Sequence, residues 1–222
     1  MKSPTKRRSP NARSHTDHRP NRPTNQVRII GGMHRRRLIS FIDADGLRPT
    51  PDRLRETIFN WLTGHLTDAR VLDVCAGSGA LAFEALSRGA ADAVLIEANA
   101  AQAKQLIANA ELLNLSASTQ IIHGTSPTAL DALQGPFDLI FIDPPYALDL
   151  WQPILNTLID LKLIHENSLI YLEADRDIDT VISADLLHAF TLIKATQVGQ
   201  AHAYLMTPMT QEDLKRADGL EE

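Results

Sequence analysis

The sequence predicts an α/β protein with a doubly wound, mostly parallel, seven-stranded Rossmann-like sheet that ends in an antiparallel C-terminal hairpin. From residue 71 onward, short β-prone runs alternate with helical segments, which is typical of a parallel sheet with helices on both faces. The length of 222 residues suits one domain of ordinary size. Hydrophobic residues at 44% and charged residues at 22% are normal for a globular protein.

The N-terminal segment differs from the rest of the chain. Residues 1–26 are rich in Arg and Pro and contain only Met1 and Ala12 as apolar residues, so we expect a disordered basic arm. Such an arm has neither the apolar run of a secretory signal nor an amphipathic targeting helix. Residues 1–37 carry eleven Lys and Arg against one acid, whereas the other 185 residues have a net charge of −15. This polarity indicates a polyanionic partner, most simply nucleic acid. The alternative interpretation is that the basic arm only keeps the protein soluble.

A basic hairpin is predicted next, over residues 27–42. Two β-prone runs, Val27–Gly31 and Leu38–Ile42, flank a Gly-Gly pair and a run of three arginines. The cations that we expect to contact nucleic acid here are Arg28, Arg35, Arg36 and Arg37.

The first helix should begin at Thr50 and Pro51. A threonine followed by proline is typical of an N-cap and a first helical position. The helical spacing of apolar residues continues through Leu54, Ile58, Trp61 and Leu62.

Strands and helices then alternate. The predicted parallel strands are Val71–Cys75, Ala93–Glu97, Thr119–His123, Leu139–Asp143 and Leu169–Glu173. The predicted helices are Leu81–Ser87, Ala98–Leu113, Thr128–Leu133 and Leu150–Leu161. Phe190–Gln197 and Ala201–Thr207 flank Gly199, which predicts an antiparallel hairpin at the sheet edge. The folded domain should therefore span residues 27–209, with a polar tail over residues 210–222.

A glycine-rich turn follows the first parallel strand and indicates a cofactor site. Residues Ala76-Gly77-Ser78-Gly79 join this strand to a helix. The glycines let the backbone approach a ligand closely, and the free N–H groups at the helix N-terminus can bind a nucleotide-like ligand. The spacing also fits the dinucleotide fingerprint, so a nicotinamide enzyme is an alternative. Asp73 favours S-adenosylmethionine, because its carboxylate would repel a pyrophosphate and attract a cationic amino group.

Two further strand ends complete the expected cofactor site. Glu97 ends the second parallel strand, where a carboxylate can accept hydrogen bonds from both ribose hydroxyls of an adenosine. Thr125 follows the third strand, at the edge where adenine contacts often lie. Ordinary loop packing is the alternative for Thr125.

The sequence Asp143-Pro144-Pro145-Tyr146 is the most specific chemical signal in the chain. It ends the buried fourth strand, and the two prolines stiffen the loop and leave carbonyl oxygens free as acceptors. Asp143 and the Pro144 carbonyl can each accept one N–H of a planar amino group, while Tyr146 stacks on the base. This loop therefore predicts methylation of an exocyclic amine, with the base presented outside its stack.

The single cysteine and the short apolar runs limit the remaining classes of protein. Cys75 alone can form neither an internal disulfide nor a multi-cysteine zinc site, so we predict no metal and a cytoplasmic location. Apolar runs such as Leu139–Ile142 are four residues long, which predicts no membrane span. Cys75 itself is expected to be a small packing residue.

These motifs together resemble the class I S-adenosylmethionine-dependent methyltransferases, and more specifically the bacterial RsmD family. The resemblance extends over Val27–Pro208 and includes Arg28–Gly32, Ala76–Leu81 and, above all, the long block Arg48–Leu62. It implies methylation of a guanine N2 of 16S ribosomal RNA that ribosomal proteins have already organised.

The resemblance also implies roles for individual residues. The cofactor residues map onto Asp73, Ala76, Gly77, Gly79 and Glu97, the catalytic loop onto Asp143–Tyr146, and the arginines at the substrate entrance onto Arg48, Arg53 and Arg55. The chain departs from the family pattern at three positions. Cys75 replaces an aromatic residue, Arg36 replaces a glycine, and Thr125 replaces an acid that would contact adenine.

We therefore predict a monomeric rRNA (guanine-N2)-methyltransferase whose partner is the small ribosomal subunit or its assembly intermediate. A DNA or RNA adenine-N6 methyltransferase is an alternative, because it would use the same loop. The DNA enzymes of this kind normally carry a target-recognition insertion, and the segments between the predicted strands and helices of this chain are too short to contain one. A non-catalytic RNA-binding module is the alternative from another class of protein.

Overall fold

The computed structural model describes residues 25–42 and 50–210 of the chain. Two sheets are present in these residues: a small hairpin and a seven-stranded main sheet. No helix among them is long and apolar enough to cross a membrane.

The main sheet has the predicted architecture. Its strands are β3 (Arg70–Asp73), β4 (Asp92–Glu97), β5 (Thr119–His123), β6 (Leu139–Ile142), β7 (Leu169–Ala174), β8 (Phe190–Val198) and β9 (Ala201–Pro208). The spatial order is β5-β4-β3-β6-β7-β9-β8. Strands β3 to β7 are parallel, and β9 pairs antiparallel with both β7 and β8. The order reverses between β3 and β6, where ligands bind in open α/β sheets.

Helices cover both faces of this sheet. They are α1 (Asp52–Trp61), α2 (Ala80–Ser87), α3 (Ala100–Leu112), α4 (Trp151–Asp160), α5 (Ile178–Val181) and α6 (Ala184–Leu187). One core lies between the sheet and α1, α2 and α3, and a second lies on the opposite face against α4 and α5. The predicted helix at 128–133 is a 3-10 helix, Thr128–Ala132, and the four-residue helices α5 and α6 were not predicted.

The start of α1 differs by one residue from the prediction. Pro51 occupies the N-cap position, and Thr50 makes no capping hydrogen bond. The Thr50 side chain instead lies beside Asp143 and lowers the pKa of that carboxyl. The threonine therefore connects the entrance of α1 to the catalytic loop.

The N-terminal hairpin consists of β1 (Asn25–Arg28) and β2 (Leu38–Phe41). Asn25 pairs with Phe41 and Gln26 with Ser40, so β1 begins two residues earlier than predicted, within the segment assigned to the arm. The rest of the predicted arm (1–24), Arg48 and the tail beyond residue 210 lie outside the described residues.

Side chains of α3 pair with the backbone of β2 and of the residue that follows it. Asn109 accepts from the Ser40 N–H at 3.1 Å and donates to the Ser40 carbonyl at 2.8 Å. The Gln102 Oε1 accepts from the Ile42 N–H at 2.8 Å. Because both helix side chains are buried and polar, these bonds satisfy groups that would otherwise be costly to bury.

Helix α2 holds the other side of the hairpin. Glu84 is fully buried and accepts from the backbone N–H groups of Ile30 and Gly31, both at 2.7 Å. The Ser87 hydroxyl donates to the Gly31 carbonyl at 2.6 Å, and a Cβ on Gly32 would lie 1.8 Å from the Ser87 carbonyl oxygen. The close approach of hairpin and helix therefore requires a glycine at position 32.

Candidate active site

Four carboxylates lie at the carboxyl edge of adjacent strands. Asp73 ends β3, Glu97 ends β4, Asp143 follows β6, and Glu173 lies near the end of β7. Asp73 pairs in register with Phe141, two residues before Asp143. The parallel sheet thereby brings the two sequence motifs side by side at the point where its strand order reverses.

The cofactor turn has the tight backbone that its glycines predict. Gly77 and Gly79 have φ values of 49° and 76°, in the left-handed region that favours glycine. The Gly79 N–H donates to the Ala76 carbonyl at 2.7 Å, and Gly79 is the N-cap of α2. Ser78 is buried, and its hydroxyl accepts from the Ala80 N–H at 3.3 Å. The turn therefore leads directly into a helix N-terminus.

Glu97 lies against this turn. Its Oε2 accepts from the Gly77 N–H at 2.9 Å, and its Oε1 accepts from the Asn99 N–H at 2.7 Å. Each carboxylate oxygen has a further lone pair that can accept a ligand hydroxyl. Burial raises the pKa of Glu97, while the hydrogen bonds from Asn99 and Gly77 act in the opposite direction.

Asp73 is 2% exposed and lies near another carboxylate, that of Glu97. The pKa of Asp73 is raised to about 7, mainly by burial and to a smaller extent by the Glu97 carboxylate, while the hydrogen bond from the Cys75 N–H acts in the opposite direction. A cationic group placed here would stabilise the ionised form of Asp73.

The catalytic loop lies on the other side of the sheet's switch point. Burial raises the pKa of Asp143 well above its ordinary value, followed by the effects of Glu173 and Asp73, whereas the Thr50 hydrogen bond lowers it. Pro144 is buried, Pro145 is exposed, and a short 3-10 helix, Tyr146–Leu148, follows. The loop thus places a carboxyl group and an aromatic ring at the same edge of the sheet.

Glu173 is a site residue that the sequence analysis did not identify. It is 4% exposed, and its two carboxylate oxygens accept from the hydroxyls of Tyr146 at 3.1 Å and Tyr171 at 2.7 Å. Burial raises the pKa of Glu173, and the two tyrosine hydroxyls lower it. Its position near the carboxyl end of the next parallel strand was the signal that could have found it.

Cys75 lies within the Asp73–Gly79 motif. Burial raises the pKa of its thiol strongly, and the carboxylates of Asp73, Asp143 and Glu97 raise it further. A thiol in this environment remains protonated and has no thiolate for nucleophilic chemistry.

The predicted RNA-binding arginines fall into two groups. Arg28, Arg35, Arg36, Arg37 and Arg53 are exposed. Arg36 has a φ of 71°, in the left-handed region that favours glycine, the residue that the family resemblance predicts at this position. Of these cations, Arg28 lies 3.5 Å from Asp52, and the Arg37 guanidinium donates to the Leu112 carbonyl at 3.0 Å.

Arg55 does not belong with them, so its assignment as a substrate arginine is wrong for this structure. Its side chain is 0% exposed and cannot reach a phosphate. It donates to the carbonyls of Thr50 at 3.2 Å and Arg28 at 3.0 Å, and to the Asp52 carboxylate at 2.5 Å. Arg55 therefore joins the start of α1 to the hairpin.

Thr125 is exposed at the end of β5, and its backbone carbonyl accepts from Ala129 at 2.9 Å. Its predicted contact with adenine stays a prediction. His123, at the end of the same strand, approaches the Ala98 carbonyl at 3.2 Å through its Nε2.

The residues at the cofactor turn fit S-adenosylmethionine better than a dinucleotide. Two carboxylates, Asp73 and Glu97, flank the glycines, and their pKa values are raised by burial in a region that also contains Asp143. An anionic pyrophosphate would increase this repulsion, whereas a cationic ligand would reduce it. Among residues 25–42 and 50–210, no group of three or more His, Cys, Asp and Glu side chains is arranged to hold a metal ion.

Comparison with known proteins agrees with this geometry. The family model described as "Conserved hypothetical protein 95" matches residues 27–207. The Escherichia coli (strain K12) ribosomal RNA small subunit methyltransferase D is 43% identical over 150 residues, covering 68% of this chain and 75% of that protein. The protein of the same name from Buchnera aphidicola subsp. Acyrthosiphon pisum is 35% identical over 184 residues, covering 83% and 94% of the two chains.

Solved structures show the same relationship. A putative methyltransferase from Escherichia coli has a TM-score of 0.73 and 35% identity, and the match covers 84% of this chain and all of that one. A putative methylase from Haemophilus influenzae gives a TM-score of 0.70 with 31% identity, over 84% and 100% of the two chains. The fold, the paired motifs and these relatives lead to one conclusion, which confirms the resemblance found in the sequence: the chain belongs to the RsmD family of methyltransferases.

Proposed function

We propose that the protein transfers a methyl group from S-adenosylmethionine to the exocyclic N2 amine of one guanine in 16S ribosomal RNA, within the small-subunit particle or its assembly intermediate. The observation that carries the proposal is the juxtaposition of the Asp73–Gly79 turn and the Asp143–Tyr146 loop on paired strands β3 and β6. The names of the relatives, ribosomal RNA small subunit methyltransferases D, support the class of substrate.

The cofactor side of the reaction depends on Asp73, Glu97 and the glycine turn. S-adenosylmethionine, when bound, supplies a methyl group activated by a positively charged sulfur. Asp73 would attract its amino group, Glu97 would accept hydrogen bonds from its ribose hydroxyls, and Thr125 would lie near its adenine. The left-handed backbone at Gly77 and Gly79 lets the chain approach this ligand closely.

The substrate side depends on the catalytic loop. Asp143 and the Pro144 carbonyl would each accept one N–H of the guanine amino group, which directs the nitrogen lone pair toward the methyl group. Tyr146 would stack on the base that has left its helix. After transfer, the nitrogen loses a proton, which the Asp143 carboxylate can accept directly or through water. This arrangement would orient the amine without requiring a strong general base.

The exposed cations would supply RNA affinity. Arg28, the tip residues 35–37 and Arg53 are placed on the hairpin and on α1, and Arg48 and the arm are expected to add to them. Phosphate contacts fix position but carry little sequence information, so specificity should come from a prefolded RNA surface. We further propose that the protein acts in the cytoplasm and is a monomer. Sedimentation at several protein concentrations would test the monomeric state.

The decisive experiment compares two substrates and two variants. Small-subunit particles from a strain lacking this protein should accept about one methyl group each, on guanine N2, much faster than protein-free 16S RNA does. Asp143→Ala should lower the rate at least about 100-fold while the affinity for S-adenosylmethionine changes little, because Asp143 acts on the amine. Glu111→Gln, on the exposed face of α3, is the matched control.

Nucleoside mass spectrometry separates the alternatives. N2-methylguanosine supports the proposal, whereas N6-methyladenosine would identify the adenine methyltransferase that shares this loop. Equal rates on particles and on protein-free RNA would refute the particle as substrate. Tight binding of NADH with no binding of S-adenosylmethionine would refute the assignment of the glycine turn.

A further inference from the structure

Glu173 accepts hydrogen bonds from aromatic side chains of the core and of the loop after β6. Its Oε1 accepts from the Tyr146 hydroxyl at 3.1 Å, its Oε2 accepts from the Tyr171 hydroxyl at 2.7 Å, and its backbone carbonyl accepts from the Trp151 indole N–H at 2.7 Å. One residue of β7 therefore bonds to three aromatic side chains. Burying a carboxylate is costly unless donors compensate it, so these donors explain how Glu173 can stay at 4% exposure.

The two tyrosines differ in burial and in the element that carries them. Tyr171 is fully buried on β7, and its ring meets the edge of Phe141 with centroids 6.0 Å apart. Tyr146 is partly exposed and lies on the loop after β6, followed by the exposed residues Ala147 and Leu148. The carboxylate thus connects a side chain fixed in the core to a side chain on the loop.

The Trp151 ring supports the same arrangement. Its centroid lies 6.1 Å from that of Tyr146, with an angle of 31° between the ring planes, and the ring is fully buried. Packing against Trp151 limits the Tyr146 ring on one side, and the hydrogen bond to Glu173 limits the position of its hydroxyl end. A ring held at both places keeps one orientation toward the base.

We propose that Glu173 is a positioning residue for methyl transfer, which holds the Tyr146 ring in the orientation that stacks on the target base. The proposal rests on the function proposed above, since it assigns Tyr146 to the base. Glu173 acts through the Tyr146 hydroxyl and touches neither the methyl group nor the amine. A ring that swings by about 1 Å would misplace the amine, and such misplacement costs about 100-fold in rate in well-ordered sites.

The test is a double-mutant cycle with Tyr146→Phe and Glu173→Ala, measured on small-subunit particles. Each single variant should lower kcat by about 10- to 100-fold, and the double variant should be no slower than the worse single variant, because both changes remove the same bond. The KM for the particle should change less than about 2-fold, since phosphate contacts supply most of the RNA affinity. Cofactor affinity should be unchanged.

Two further variants separate positioning from general structure. Glu173→Gln keeps an oxygen that can accept from the Tyr146 hydroxyl, so it should recover most of the kcat lost in Glu173→Ala. Tyr204→Phe makes the same chemical change as Tyr146→Phe at a hydroxyl that instead accepts from the Ile178 N–H at 3.2 Å, and it should leave kcat unchanged.

The outcomes that overturn the proposal are distinct from failure of the proposed function. Multiplicative losses in the double variant, or a Gln variant as slow as the Ala variant, would show that Glu173 does not act through Tyr146. If Glu173→Ala does not fold, Tyr146→Phe with full kcat overturns the proposal by itself. A wild-type protein that methylates no amine would refute the proposed function, and the positioning role with it.

Discussion

Replacing Glu84 by Gln should weaken the attachment of the hairpin to the domain. The Glu84 carboxylate accepts from the N–H groups of Ile30 and Gly31 and from the Arg88 Nε, each at 2.7 Å, and it lies 3.9 Å from the Arg55 guanidinium. Both the Glu84 and the Arg55 side chains are fully buried. Water therefore cannot replace the lost partner.

The magnitude follows from the geometry of these bonds. A Gln side chain has one amide NH₂ where Glu has an acceptor oxygen, so either the Ile30 or the Gly31 N–H must face another donor. A hydrogen bond to a charged group contributes about 1.5 to 3 kcal/mol, and a buried unsatisfied donor costs about 1 to 3 kcal/mol. We therefore expect a loss of about 3 to 5 kcal/mol, which agrees with the cost of breaking other buried ion pairs.

Urea unfolding measures this loss. With a slope of about 1 to 3 kcal/mol per molar urea, the midpoint should fall by about 1 M or more. Hydrogen exchange should also become faster at the amides of Ile30 and Gly31. Glu111→Gln, on the exposed face of α3, should change stability by less than about 0.5 kcal/mol. A loss for Glu84→Gln as small as that of this control would show that the carboxylate does not hold the hairpin.

Three other changes test the site. Gly79→Ala should lower thermal stability and cofactor affinity, because the φ of Gly79 is 76° and the added Cβ would lie 2.6 Å from a Leu106 methyl group. An unchanged melting temperature would contradict this prediction. Burial raises the pKa of Asp73 from 3.8 to about 7, so the folded protein favours the neutral form of this side chain. Its contribution to the free energy of unfolding is therefore fully present below pH 4 and is lost as the pH rises through 7. Binding of S-adenosylmethionine should accordingly release a proton at pH 6.5 but not at pH 9, and calorimetry in two buffers that shows no difference would refute this pKa. Replacing the three arginines at residues 35–37 by Gln should reduce the slope of log K for RNA binding against log salt concentration by about 0.7 to 0.9 per lost phosphate contact. An unchanged slope would show that these arginines do not contact RNA phosphates.

The strand ends of the catalytic site could be predicted because parallel strands impose a simple rule. Residues at the carboxyl ends of such strands meet at one edge, so the common location of Asp73, Glu97 and Asp143 could be predicted from strand order and turn chemistry alone. The same rule applies to Glu173, but the sequence Tyr-Leu-Glu carries no turn motif that would direct attention to it. The role proposed for Glu173 depends on the hydrogen bond from the Tyr146 hydroxyl, a tertiary contact that the sequence does not reveal.

Arg55 could not be assigned from residue type. Arginine is usually exposed, and a resemblance to a family with entrance arginines placed it on the surface. In the structure, Arg55 shares one face of α1 with Ile58, Phe59 and the C-cap residue Leu62, and all four side chains are buried. The tertiary contacts decide, because the Asp52 carboxylate and two backbone carbonyls compensate the buried guanidinium.

The buried polar residues of α2 and α3 also explain how the two halves of the site keep their relative positions. Helix α2 begins at the cofactor turn and, within its eight residues, reaches Glu84 and Ser87, which bind the hairpin. Gln102 of α3 forms a second connection, since its Nε2 donates to the Gly77 carbonyl at 2.6 Å while its Oε1 accepts from the Ile42 N–H at 2.8 Å. A displacement of the hairpin would therefore pull on the glycine turn directly. These short, part-buried hydrogen bonds connect the hairpin to the cofactor turn through α2 and α3, so the proposed RNA-binding tip and the proposed methyl-donor site would keep a defined separation.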